Sequence, residues 1–172
     1  MQILSKAIFI SGTAQNVGKT TLACQLIQQN KAENWIAIKI SPHKHPFSNG
    51  TNFIYSSDDF TLIEEISFTS SKDSSRMLNA GASRSFFVVC EDRFISSAIT
   101  FLGNLVDLQQ TLIVESAAIR RYFMPRNFIL VYNDLNPSSK AYNLDLEALA
   151  DHRIRFDGTD FYQGDFLFLK SQ

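Results

Sequence analysis

Residues 9–27, FISGTAQNVGKTTLACQLI, pass from a continuous apolar run through small and polar residues into a helix-like pattern headed by Gly18, Lys19 and Thr20. That order constrains the fold more than any other feature of the chain, because it asks for a buried strand that turns directly into the start of a helix. A glycine-bearing turn after such a strand points successive backbone N–H groups inward, and the helix adds its unpaired N-terminal amides and the positive end of its dipole. The arrangement suits a phosphate, with Lys19 as a point charge on the terminal phosphates and the Thr20 hydroxyl as a Mg2+ ligand. The usual spacing is G-x-x-x-x-G-K-[ST], whereas here Thr13, Ala14, Gln15, Asn16 and Val17 all stand between Gly12 and Gly18. The added residue lengthens the lip without moving Gly18, Lys19 or Thr20 from the helix start. Gly12 through Thr21 is therefore the expected phosphate-binding segment.

The remainder of the chain alternates in type. KAIFIS (6–11), WIAIKI (35–40), SFFVVC (85–90), TLIVES (111–116) and NFILVYND (127–134) are solid apolar runs of the kind that form strands buried on both faces. Helical spacing recurs from Gly18 to about Gln29, from Phe94 to Leu105 and over LDLEALA (144–150), while SKDSSRMLNAGA (71–82) has the Ser/Asp start and glycine end of a short capped helix. NFIY (52–55) and FTLIEEI (60–66) read as a β-hairpin inserted around 52–66, RIRF (153–156) as an edge strand, and the stretch around Pro125 as a compact turn or short helix. Strands alternating with helices predict an α/β fold, with a mostly parallel central sheet and helices on both faces. Ligands of such sheets collect at the carboxyl ends of the strands.

At 172 residues the chain is expected to form a single domain, 1–172, around one core. The net charge of −1 supplies no global field for nucleic acid or anionic lipid, so any anion site must be local. Cys24 and Cys90 are far apart, without a C-x-x-C pair, and read as reduced core thiols of a cytoplasmic protein. The N-terminal apolar run is too short for a signal-peptide core, and no window approaches the ~20 apolar residues of a membrane span. The expected partners thus include neither nucleic acid nor membrane.

GTAQNVGKT resembles the phosphate loop of dethiobiotin synthetases, members of the P-loop class that also place five residues between the glycines. AIKISPHKH and KDSSRMLNAGA resemble the B protein of molybdopterin-guanine dinucleotide biosynthesis. In that family a strand ends in Lys followed by histidines, a later segment reads approximately K-D-S-x-R-x-x-x-A-G-A, and another strand ends V-E-G, where this chain has IVES at 113–116. The likeness runs in order through most of residues 6–134, and its most specific part is 71–82. It implies a three-layer P-loop NTPase fold that binds Mg2+ and GTP or ATP, hydrolyses NTP slowly, and assists a pterin cofactor or a cofactor-assembly enzyme. Relatives in this class commonly form homodimers. Departures are the longer phosphate loop, the longer connection from the histidine segment to the K-D-S segment, and Ser116 in place of the glycine.

Several other residues are candidates for the site. Glu115 ends a buried strand, so its carboxylate would emerge at the sheet's active edge, to bind Mg2+ or orient an attacking water, or else to cap the next helix. Asp73 offers a second oxygen to the metal or caps its own helix. Lys39, closing a buried strand, would contact substrate or phosphate; His43 would contact substrate, as would Arg76 one helical turn beyond Asp73. His43 and His45 are too few ligands for a structural zinc. Asn133 and Asp134 end a strand where a nucleotide base could be read, or simply form a turn, and the fuller N-K-x-D pattern is absent. Arg120 and Arg121 would serve as cations near phosphate or occupy an exposed helix face. Two alternatives to the slow NTPase stand beside it: an ATP-dependent ligase resembling dethiobiotin synthetase, and a non-hydrolysing nucleotide sensor.

Overall fold

The computed structural model describes residues 1–43, 52–133, 144–164 and 166–169. In chain order the elements are β1 (Gln2–Gly12), α1 (Lys19–Gln29), β2 (Ile36–Ser41), β3 (Asn52–Ser56), β4 (Phe60–Glu65), α2 (Asp73–Asn79), β5 (Arg84–Cys90), α3 (Ile95–Leu102), β6 (Leu112–Glu115), β7 (Phe123–Tyr132), α4 (Leu144–Leu149), β8 (His152–Phe156), β9 (Phe161–Gln163) and β10 (Phe166–Leu169). Ten strands form one mixed sheet in the order β10-β9-β8-β7-β1-β6-β2-β5-β4-β3. Its middle, from β8 to β5, is parallel; both flanks are antiparallel. All the parallel strands but β8 are the solid apolar runs, which need cover on both faces.

That cover comes from two separate cores, because successive residues of each central strand point to opposite faces. Phe9, Ile38, Val88 and Val114 face α3 and α4, where they pack with Ile95, Ile99, Leu102 and Leu146. Ile10, Ala37 and Ile113 face α1 and α2, packing with Leu22, Ala23, Ile27 and Met77. The α/β reading, the parallel centre and the hairpin at 52–66 are thus present, the hairpin extending the sheet as its β4–β3 flank.

Some expected boundaries change. RIRF is not an edge: β8 pairs with β7 on one side and with β9 on the other, and β9 carries β10. The short run 161–163 has too little pattern to announce a strand, and it forms by pairing with its neighbour across a tight turn. Pro125 lies within β7 rather than in the turn before it, in a stretch where the β1–β7 register shifts between Leu4 and Ile8. Such an irregularity is where a residue without an N–H can join a sheet. The helix expected over 94–105 is reduced to α3, preceded by a 3-10 turn at Asp92–Phe94.

Candidate functional site at the carboxyl ends of the central strands

The bend between β1 and α1 is held by its own residues. Thr13 donates its backbone N–H to Val131 O at 3.0 Å, and Val17 is fully buried in the α1-side core, so both ends of the lip are anchored. Gln15 and Asn16 form its exposed crest, Asn16 with φ 60°. Gly12 permits the bend to close: a Cβ there would lie 2.6 Å from Val17 Cγ2 and 2.9 Å from Lys19 Cδ. Gly18 is required twice, by its φ of +94° and by the Phe156 ring, 2.6 Å from where its Cβ would stand. Lys19 folds back across Gly12 and donates its ammonium to Ala14 O at 2.7 Å. Inside the bend, then, the Lys19 ammonium is held by a backbone carbonyl of the bend itself.

Thr20 begins the link to the sheet. Its buried hydroxyl donates to Glu115 Oε2 at 2.6 Å across 95 residues of sequence. Glu115 is 1% exposed and ends β6 on the α1/α2 side of the sheet, in register with Ile10 on one neighbour and Lys39 on the other. Lys39 donates its ammonium to Glu115 Oε1 at 2.5 Å and to Asp73 Oδ2 at 2.8 Å. Arg76 stands 3.7 Å from Asp73 Oδ1 and donates to Thr21 Oγ1 at 3.3 Å, tying α2 back to α1. One continuous network therefore joins β1–α1, β2, β6 and α2.

The alternative roles of the two carboxylates are resolved by their surroundings. The turn after β6 is capped by Ser116, whose Oγ accepts from the N–H groups of Ala118 and Ile119, leaving Glu115 to the network. Asp73 is the first residue of α2 rather than its cap; Lys72 holds the N-cap position, and its side chain does not cap the helix. The start of α2 is positioned instead by Ser74, which donates to Glu65, by Ser75, which donates to Ser67 O, and by Ser85 of β5, which donates to Ser74 O.

Burial and charge oppose each other here. Burial pulls the Lys19 ammonium below lysine's ordinary pKa, with Glu115 only partly restoring it. Burial acts the same way on Lys39, but Glu115 and Asp73 together outweigh it and raise that pKa. For Asp73, burial pushes up and the Lys39 ammonium pulls down, leaving the carboxyl below its usual value. Cys24, one turn beyond Thr20 on α1, is pushed up to about 11 by burial and stays a thiol.

No family model, curated protein or solved structure matches the chain. Its chemistry is written in its own side chains. The donor set formed by Thr20, Glu115 and Asp73 is all oxygen, as a hard divalent cation such as Mg2+ requires. Among the described residues no group of three or more His, Cys, Asp and Glu could hold a metal, so a divalent cation at this place would have only the two carboxylates and the Thr20 hydroxyl as side-chain oxygens.

The other candidates fall elsewhere. His43 is exposed two residues past β2, where its backbone N–H is donated to Ser41 Oγ, and its imidazole does not join the network. Asn133 follows β7, half-buried at the same edge of the sheet; Asp134 and His45 lie outside the described residues. Arg121 is paired with Asp145 of α4 at 2.8 Å and Arg120 lies against Met1, and neither bonds to the bend between β1 and α1. Phe156 is the residue that sequence reasoning missed. It stacks on buried Phe161 at 4.6 Å and forms the wall against Gly18, but nothing in RIRF distinguishes such an aromatic from ordinary strand filling.

Proposed function

We propose that this protein is a Mg2+-dependent P-loop nucleotide-binding protein that takes GTP or ATP, hydrolyses it slowly, and serves assembly of a molybdopterin-guanine dinucleotide cofactor or a related pathway. The observation that carries the reading is the Thr20–Glu115 hydrogen bond. It brings a hydroxyl from the helix start, immediately after the glycine bend, onto the carboxylate at the end of the neighbouring parallel strand. A bend that merely reversed the chain has no need of that pairing.

In this reading the amides of Gly12 to Thr21 cradle the phosphates and Lys19 exchanges Ala14 O for a terminal phosphate oxygen. Thr20, Glu115 and Asp73 would hold Mg2+, which when bound offsets charge developing on the transferred phosphoryl group. Glu115 also orients an attacking water, Arg76 and Lys39 face the second ligand, and Asn133 with Asp134 addresses the base. The segments whose sequences resemble the molybdopterin-guanine dinucleotide B family, 71–82 and 113–116, supply Asp73, Arg76 and Glu115, which favours a second, anionic ligand on the α2 side.

Single-turnover incubation with labelled GTP and ATP tests the proposal. Mg2+-dependent cleavage that is lost in Thr20→Ala supports it; nucleotide binding without any cleavage assigns the protein to the non-hydrolysing sensors. Phosphate release from ATP only when diaminopelargonic acid and bicarbonate are added would instead mark a ligase.

A further inference from the structure

We propose that Lys39 is a built-in counterion that holds the metal's place on Glu115 and Asp73, so that a divalent cation enters only together with an anionic ligand. The inference rests on the nucleotide reading above and adds a rule for the order of assembly at that site.

The Lys39 ammonium is bonded to one oxygen of each carboxylate, at 2.5 Å to Glu115 and 2.8 Å to Asp73. Thr20 occupies the other oxygen of Glu115, and Arg76 lies beside the other oxygen of Asp73. Every carboxylate oxygen that could serve a metal thus has a protein partner. A cation coordinated by both carboxylates would have to displace the ammonium or share its oxygens.

Charge points the same way. Two carboxylates face three cations, Lys39, the nearby Lys19 and Arg76 beside Asp73, so positive charge already exceeds negative before any ligand arrives. A divalent cation added alone would add two further positive charges to that excess where Glu115 is fully buried, a costly state at low effective dielectric. A nucleotide phosphate brings the missing negative charge and gives both ammonium groups new acceptors. Lys39 has a four-carbon stem and a side chain 15% exposed, so its head can leave the carboxylates for ligand oxygens.

The decisive comparison is Mn2+ binding, followed by electron paramagnetic resonance, for wild type and Lys39→Met without nucleotide, with circular dichroism confirming that each is folded. Wild type should show no saturable submillimolar site. Lys39→Met should gain one site, ~10-fold or more tighter than wild type, corresponding to loss of one charge-assisted competitor. Adding Glu115→Gln to Lys39→Met should remove it. Wild type should take up Mn2+ once a non-hydrolysable GTP or ATP analogue is present. Should Lys39→Met fail to fold, Lys39→Gln serves in its place. Tight Mn2+ binding by nucleotide-free wild type overturns the inference, as does a folded Lys39 variant with no gain. If neither analogue binds the folded wild type, the nucleotide reading fails, while a gain of Mn2+ in the variant still establishes Lys39 as the metal's competitor.

Discussion

The two faces of the sheet are built from the same strands and have opposite characters. On the α3/α4 side, Ile38, Ile40 and Val114 continue an apolar core up to the carboxyl edge. On the α1/α2 side, the residues alternating with them at that edge are Lys39 and Glu115, joined there by Thr20 and Asp73. Every buried ion pair costs desolvation, and an apolar pair of similar volume at these positions would be at least as stable. Buried Ser11 and Ser116 lie at the same edge on the other face, but the buried carboxylate Glu115 and its partner Lys39 are on the face where a helix begins after a glycine bend, a placement that the proposed function needs and folding alone does not.

The strongest way to break this contrast is to damage each face once. Glu115→Ala leaves Lys39 with Asp73 alone, strips the Thr20 hydroxyl of its acceptor and opens a cavity, and should lower the unfolding free energy by about 2–3 kcal/mol. Phe86→Ala, in the opposite core, should cost about 3–5 kcal/mol. Urea denaturation checks both values. Phe86→Ala protein that remains folded should bind Mg2+-nucleotide within about threefold of wild type, whereas folded Glu115→Ala should lose ~10-fold or more. Equal loss of binding in both would abolish the division between faces.

A second test separates binding from stability on the α1/α2 face itself. Lys19→Ala removes a charge whose burial is unfavourable, so its urea midpoint should stay near that of wild type. Nucleotide affinity should nevertheless fall by ~10–150-fold, the worth of one charge-assisted contact. A large loss of stability with unchanged affinity would make Lys19 a structural residue.

The two glycines with similar backbone angles sharpen the account of the bend. Gly18→Ala and Gly158→Ala both place an L-residue at positive φ, +94° and +106°, but only the first drives a Cβ into the Phe156 ring. Gly158→Ala should cost about 1 kcal/mol, and Gly18→Ala up to about 3 kcal/mol with loss of nucleotide binding as well. Similar costs in thermal or urea unfolding would remove Phe156 as the wall of the bend.

The smallest effect lies in pH. Asp73 has its folded pKa below the unfolded 3.8, so its stabilisation is present above that value and disappears as pH falls through the lowered one. Lys39 has its folded pKa above 10.5, so its share is complete below 10.5 and is lost as pH rises through the raised value. The ion pair's contribution should consequently be flat at neutral pH. In urea midpoints measured against pH, Asp73→Asn should flatten the acid limb relative to wild type; an unchanged limb would show that Asp73 contributes nothing through Lys39.

What could be read from the chain follows from range. The bend, Lys19 and Thr20 are contiguous, and the apolar runs of the parallel centre need no partner to be recognised, so fold class and the helix start were legible. Glu115 could be placed at an edge because a charge ends a buried run. Its bonds to Thr20 and Lys39, however, depend on β6 lying between β1 and β2, an order that local pattern does not determine. Nothing in the sequence signals that Lys39, read there as a ligand contact, is also engaged by two carboxylates 34 and 76 residues away. Phe156 and the β9–β10 flank are hidden for the same reason: Phe156 takes its meaning from Gly18 and Phe161, and the flank from its pairing onto β8.

The most direct test of the central claim is calorimetric titration of the folded protein with GTP and with ATP, each with and without Mg2+, alongside Lys19→Ala. The account predicts saturable binding of at least one nucleotide at one site per chain, strengthened by Mg2+ and weakened at least ~10-fold by the substitution. Absence of binding by both nucleotides, or equal binding by Lys19→Ala, would contradict it.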